Sequence, residues 1–195
     1  MKEPIRNKIV SIIREIDAFD EMERDHLQNT LAWIESGVEI FRIEKPAIPP
    51  KHLVCYNVLF DKSKRKLLLF HHRGSGLLLP SGGHVNKNEL PRDAAVRELK
   101  EELNLNPNFA QGETESPFFL SQVTTVGKFA GHTDVDLWYL HLFDSTMPLD
   151  DSTEDFQREF SGYEWLTFAE CDKLDCGTET DKHLLRFVEK LKDKF

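Results

Sequence analysis

Residues 83–105 read GHVNKNELPRDAAVRELKEELNL, and the reading of that stretch decides the rest of the chain. Gly74, Gly76, Pro80, Gly82 and Gly83 crowd the segment that leads into it. Pro91 stands where the first turn of a helix tolerates a missing N–H, so the run is read as a glycine-rich loop entering a helix. In that helix Glu98, Glu101 and Glu102 are spaced i, i+3 and i+4 and share a face, while Val96, Leu99 and Leu103 occupy a different, apolar one. Like charges at this spacing cost roughly 0.5 to 1 kcal/mol of helix stability in total. Taken alone, such a run is most simply a solvated helical face. A hard divalent cation, Mg²⁺ or Mn²⁺, would also neutralise it, with loop carbonyls and water completing an oxygen shell. Arg97 is placed to pair with Glu101 or to reach back to Glu89.

On the N-terminal side of this junction, HLVCYNVLFD, a polar turn at Lys62 to Arg65 and KLLLFHH predict a β-hairpin. On the C-terminal side, FFLSQVTTVGKF and TDVDLWYLHLF are two long β-prone runs separated by Ala130-Gly131-His132, and SGYEWLTF predicts a further strand. The tail DKHLLRFVEKLKDKF is read as a helix, with Leu184, Leu185, Phe187, Val188 and Leu191 on one face and basic residues suiting the dipole at its end. The chain opens with Ile5, Ile9, Ile12, Ile13 and Ile16 at helical spacing behind Pro4. A second helix is expected, capped by Asp20, striped by Leu27, Leu31 and Ile34, and stopped at Gly37. The proline-rich segment Lys45 to Pro50 reads as a stiff linker, dividing a helical extension, 1–45, from a main domain, 46–195. That extension has three open roles: capping a substrate pocket, making a homodimer contact, or packing on the sheet.

At 195 residues the chain is long enough for one domain with a real core and an extension. With 34 Asp+Glu against 25 Lys+Arg, the formal net charge of -9 repels nucleic-acid backbone and anionic lipid alike, so neither a polymeric nucleic acid nor a membrane is an expected partner. A small phosphate ester is repelled too, so a phosphate site here needs a bound cation to reverse the local sign. The charged N-terminus and the lack of any apolar run of membrane length predict a cytoplasmic protein. Cys55, Cys171 and Cys176, an odd set without a C-x-x-C pair, predict free thiols in a reducing compartment.

Written as Gly83, five residues, Glu89, seven residues, then Arg97-Glu98-Leu99-Lys100-Glu101-Glu102-Leu103-Asn104-Leu105, the opening stretch resembles the Nudix box, G-x5-E-x7-R-E-U-x-E-E-x-G-U with U aliphatic. Six fixed positions agree, a coincidence of order one in 10⁷ per placement at roughly 5 to 7% usage per residue type. The departure is Asn104 for the family's second glycine. Asparagine is the next best residue for the left-handed backbone expected there.

The resemblance implies the Nudix α/β/α sandwich, a central mixed sheet between helices, and a metal-dependent hydrolase of a diphosphate linkage in a small phosphorylated substrate, a nucleoside diphosphate derivative or a nucleoside triphosphate. It implies that Glu98, Glu101 and Glu102 hold Mg²⁺ or Mn²⁺, helped by a carbonyl of Gly82 or Gly83. Arg97 would orient the carboxylates, and Glu89 would support the site at longer range. Glu98 is the first choice of proton acceptor. Glu159, six residues before Trp165 as some relatives place a loop glutamate, is the second choice and an alternative metal ligand. Arg73, beside His71 and His72, is a candidate phosphate ligand or a solvated strand end. His84 and His132 are candidates for phosphate contact or for ordinary loop hydrogen bonds. Trp138 and Tyr139 are candidates for base stacking or for the core. Two rivals stand beside this reading: a regulatory module that binds a nucleotide without turnover, and an enzyme like isopentenyl diphosphate isomerase, which uses a cysteine and a glutamate.

Overall fold

The computed structural model describes residues 3–110, 116–125, 131–174 and 177–195. Two helices, α1 (Glu3–Arg14) and α2 (Glu21–Glu35), precede the strands β1 (Lys51–Asp61), β2 (Lys66–His72), β3 (Leu78–Leu79) and β4 (Ser81–His84). Helix α3 (Pro91–Leu103) follows, then β5 (Phe119–Thr124), β6 (Thr133–Leu142), α4 (Glu154–Glu159), β7 (Phe160–Thr167), α5 (Phe168–Cys171) and α6 (Glu179–Lys194). Cys176, part of Ala130-Gly131-His132 and the end of the FFLSQVTTVGKF run lie outside the described residues.

β1 is the strand that the others share. It pairs antiparallel with β2 and β4 and parallel with β6, in a mixed seven-stranded sheet ordered β3-β2-β1-β6-β5, with β4 added on β1 and β7 on β2. Because successive side chains alternate between faces, β1 divides its residues between two cores. Leu53 and Cys55 pack with Ala94 and Ala95 of α3 and with the N-terminal helices, and Leu59 packs with Leu99 and Leu103. Val58 and Phe60 pack on the opposite side with Leu184, Phe187, Val188 and Leu191 of α6. A strand covered on both faces reads as a nearly continuous apolar run, which is how HLVCYNVLFD reads.

The expected helices form, with local differences at their ends. Asp20 caps α2 by accepting from the Glu23 amide, and Gly37, at φ +86°, lies just beyond the helix. Helix α1 ends at Arg14, so Ile16 packs into the core from beyond it. Helix α6 begins before the DKHLL run, where Thr178 and Asp181 form a reciprocal capping box. Lys192 and Lys194 lie in its last turn as expected, while Lys190 is buried and holds Glu23 at 3.0 Å, joining α6 to α2. Ile9, Ile13, Leu27 and Ile34 of the extension share one apolar cluster with Leu120, Val135 and Leu137 of the sheet, so packing on the sheet is the role this structure displays.

The hairpin turn between β1 and β2 is held by Asp61, only 2% exposed. Its carboxylate accepts from Ser63 Oγ at 2.7 Å, the Lys64 amide at 3.0 Å, and both the amide and hydroxyl of Ser145 at 3.0 and 2.7 Å. Burial alone would raise its pKa, but these donors outweigh it and hold the carboxyl well below its ordinary value of 3.8. Stability from a lowered carboxyl is present above that ordinary value and is lost as pH falls toward the folded one. We expect Asp61→Asn to cost about 1 to 3 kcal/mol in urea unfolding at neutral pH. The deficit should shrink below about pH 4; an equal deficit in acid would assign the loss to packing instead.

Candidate active site

The glutamate helix is built as its sequence suggests, with Pro91 in the first turn and Asn104 beyond the last. Asn104 takes φ +52°, and its amide and that of Leu105 turn back to the carbonyls of Lys100 and Leu99, closing the end as a glycine would. The buried face differs from expectation. Ala94, Ala95, Leu99 and Leu103 are fully buried, while Val96 is half-buried. The two alanines let α3 lie close to the sheet, where Asn57 of β1 donates to the Ala95 carbonyl at 3.0 Å.

The three helix glutamates do not act as one face. Glu102 is 1% exposed and points at β4, where one carboxylate oxygen accepts from Ser81 Oγ at 2.5 Å and from the Gly82 amide at 3.1 Å. Its other oxygen, Oε1, has no hydrogen-bond partner among the described residues. Glu98 lies one turn earlier, directly under Gly83. A Cβ at position 83 would meet the Glu98 carboxylate at 2.3 Å, so the glycine is what leaves room for it. Gly82 is required for a different reason: its φ of +154° and a backbone contact at 2.1 Å from any added Cβ exclude side chains. Glu101 is the exposed member and pairs with Arg97 at 3.0 Å.

Arg97 makes both contacts that the sequence left open, and more. It grips Glu89 in a two-pronged pair at 2.9 and 3.1 Å, donates to Glu98 at 2.7 Å, and reaches the His84 carbonyl at 3.1 Å. Glu89 in turn accepts from the Asn86 amide at 2.8 Å, fixing the loop between β4 and α3.

Burial raises Glu98 to about 6; Arg97 opposes the shift, and Glu101 and Glu159 add to it. Burial likewise lifts Glu102 well above its ordinary range despite the Ser81 and Gly82 hydrogen bonds, with Glu98 and Glu159 reinforcing the rise. Thus Glu159 acts electrostatically on both helix glutamates. It is the last residue of α4, not a loop residue, and it shares the wall of a cavity of about 690 Å³ with Gly82, Gly83 and His84. Two desolvated carboxylates, one with an unpartnered oxygen, fit a hard divalent cation, for which oxygen ligands are preferred.

The remaining candidates separate. Arg73 is engaged with the Phe160 carbonyl at 2.7 Å through Nε, and its amide binds the Glu159 carbonyl; it secures the α4–β7 junction. His71 pairs with Glu164 at 2.7 Å and His72 with Ser75 at 2.9 Å. Trp138 and Tyr139 are both fully buried, so both belong to the core. His84 and His132 meet on the cavity side of the sheet, together with two residues the sequence reading passed over, His52 and Asp134. Also passed over were Arg42 and Lys45, which bring positive charge to the cavity wall from the segment after α2. Their only local signal was position beside the prolines of the linker, which says nothing of what they face.

The chain is similar to known proteins. A curated RNA pyrophosphohydrolase of Roseobacter denitrificans is 32% identical over 130 residues, covering 60% of this chain and 77% of that protein. Among solved structures, the dihydroneopterin triphosphate pyrophosphohydrolase of E. coli aligns with a TM-score of 0.55 at 13% identity, over 80% of this chain and all of that one. The Ap4A hydrolase of C. elegans aligns at 0.54 and 17%, over 73% and 96%, and a NUDIX family hydrolase from Clostridium perfringens at 0.52 and 20%, over 72% and 97%. At those identities the structures speak for the fold. Residues 50–188 match the NUDIX domain, more than half of the chain and all of the sheet and the glutamate helix, and the protein therefore belongs to the Nudix hydrolase family.

Proposed function

We propose that this pyrophosphohydrolase cleaves the diphosphate linkage of a nucleoside diphosphate derivative or a nucleoside triphosphate, using Mg²⁺ or Mn²⁺ held by Glu98 and Glu102, with Glu101 and the Gly83 carbonyl as further ligands. The observation that carries the reading is the burial of Glu98 and Glu102 against Ser81, Gly82 and Gly83, beside a cavity that Glu159 overlooks. A cation there would screen the diphosphate charge and make water more acidic and more nucleophilic.

The chain's own groups supply the rest. Arg97 holds Glu98 and Glu101 in place and keeps Glu89 on the loop, so the carboxylates need no reordering when substrate arrives. Glu98 accepts the proton of the attacking water, with Glu159 the alternative acceptor across the cavity mouth. Arg42 and Lys45 contact phosphate oxygens from the cavity wall. The isomerase-like alternative is disfavoured because Cys55 is fully buried, donates to the Gly83 carbonyl at 3.4 Å, and has its thiol pKa pushed up by burial. A cytoplasmic setting accords with the free thiols of Cys55 and Cys171, and no described helix is long and apolar enough to cross a membrane.

The assay is Mg²⁺-dependent turnover of a panel of nucleoside diphosphate derivatives, triphosphates and a 5′-triphosphorylated oligonucleotide, the last because of the Roseobacter relative's name. Glu98→Gln should lower kcat by about 10² to 10⁴. Glu102→Gln should lower it at least as much. Nucleotide binding without metal-dependent turnover in the wild type would instead identify a regulatory module.

A second expectation follows from the raised carboxyl pKa values. Groups raised on folding contribute stability below their ordinary value of 4.5 that is lost as pH rises through the folded value, about 6 for Glu98. Cation binding requires the ionised carboxylates. The Tm increase on adding Mg²⁺ should therefore be larger at about pH 8 than at about pH 5.5. An increase that is equal at both, or that survives Glu102→Gln unchanged, would place the cation elsewhere.

A further inference from the structure

The face of the sheet opposite α3 carries a second cluster. His52 near the start of β1, His84 at the end of β4, and His132 and Asp134 around the start of β6 each bring one ligand atom to within 4.8 Å of the others. Strand register explains the meeting. His52 stands opposite Asp134 in the parallel pair, and His84 stands opposite Val54, two residues along β1 and hence on the same face. The His52 ring lies 4.9 Å from that of His84 and 5.0 Å from that of His132.

The hydrogen bonds around these rings determine what the rings present to one another. His52 Nδ1 lies 2.8 Å from the Pro49 carbonyl, which can only accept, so the proton is on Nδ1 and a neutral ring shows a bare lone pair at Nε2. That Nε2 is 3.1 Å from Asp134 Oδ1, another lone-pair atom, and neither has a hydrogen-bond partner among the described residues. His84 Nε2 is likewise buried without a partner. His132 Nδ1 lies 3.0 Å from Thr125 Oγ1, while its Nε2 is 3.3 Å from the same Asp134 oxygen. His52 is fully buried and His132 is 7% exposed. Converging lone pairs in such a place are costly unless a proton or a cation sits between them, and one proton on the His132 or His52 ring can serve Asp134 but not the His84 Nε2 as well. Arg42 lies near enough to offset part of the Asp134 charge, but not the lone pairs of the rings.

We propose that His52, His84, His132 and Asp134 form a binding site for a divalent transition metal, Zn²⁺ being the best match, separate from the glutamate site on α3. Three imidazoles and one carboxylate are a donor set for zinc and its neighbours, not for magnesium. In tetrahedral zinc, bonds of about 2.0 to 2.1 Å put neighbouring ligand atoms roughly 3.3 Å apart. The two Nε2 to Oδ1 separations already match that spacing. The Nδ1 contacts to the Pro49 carbonyl and the Thr125 hydroxyl are the outer partners that orient metal-binding histidines. Four protein ligands close the shell, which marks a structural ion. It ties β1, β4 and β6 together and fixes the strand that carries Gly82 and Gly83.

The test uses the full chain without a polyhistidine tag, freed of metal by dialysis and titrated with zinc sulfate against a chromogenic chelator. We expect about one zinc per chain, retained against excess Mg²⁺, and a higher Tm when zinc is bound. His84→Gln and Asp134→Asn should each weaken zinc binding at least about tenfold, while Glu98→Gln leaves it unchanged. X-ray absorption at the zinc edge of the wild type, which needs no variant to fold, should show imidazole scattering. The proposal is overturned by an oxygen-only shell, by failure to bind zinc, or by binding lost in Glu98→Gln and kept in His84→Gln.

Discussion

Glu102 lies beneath β4 with one oxygen on the Ser81 hydroxyl and the Gly82 amide and the other without a hydrogen-bond partner among the described residues, and Glu98 fills the space that a side chain at position 83 would take. Desolvating two carboxylates side by side is a large electrostatic cost, and the surrounding structure is arranged to bear it. Ala94 and Ala95 bring the helix close to the sheet, Leu99 and Leu103 anchor it, and Asn57 fastens it to β1. Arg97 supplies the nearest positive charge and is itself held by Glu89. Ser81, the Gly82 amide and Arg97 thus hold the two carboxylates in a preorganised arrangement.

β4 separates two chemistries because its side chains alternate between faces. Ser81 and Gly83 turn toward α3 and its carboxylates, whereas His84 turns to the opposite face and toward His52, His132 and Asp134. The hard and the softer donors are kept apart by one strand. The cavity is lined by Gly82 and Gly83 together with His84, His132 and Asp134.

The helices before the domain are bound in from two directions. Their isoleucines join the core above β5 and β6, and Glu23 carries a buried ion pair with Lys190 while accepting from the amides of Phe19 and Leu120. An ion pair so completely hydrogen-bonded is costly to break from either side. The segment after α2, with Arg42 and Lys45 on the cavity wall, is held separately, by the buried Ile40 and Phe41 and by the Leu53 amide donating to the Ile40 carbonyl.

The sequence by itself determined what depends on near neighbours. It defined the hairpin ahead of the box, the helix from Pro91 to Leu103, the left-handed turn at Asn104, and the gathering of Glu98 and Glu102, since helical spacing brings i and i+4 together in any such helix. Only the tertiary structure decided that Glu101 turns to Arg97 and solvent, that Glu159 ends a helix and lines the cavity, that Arg73 binds the Phe160 carbonyl, and that Arg42 lines the cavity wall. The histidine cluster is the extreme case. His52, His84 and His132 are brought together by the pairing of β1 with β4 and β6, segments far apart in the chain, so no single stretch of sequence announces the cluster.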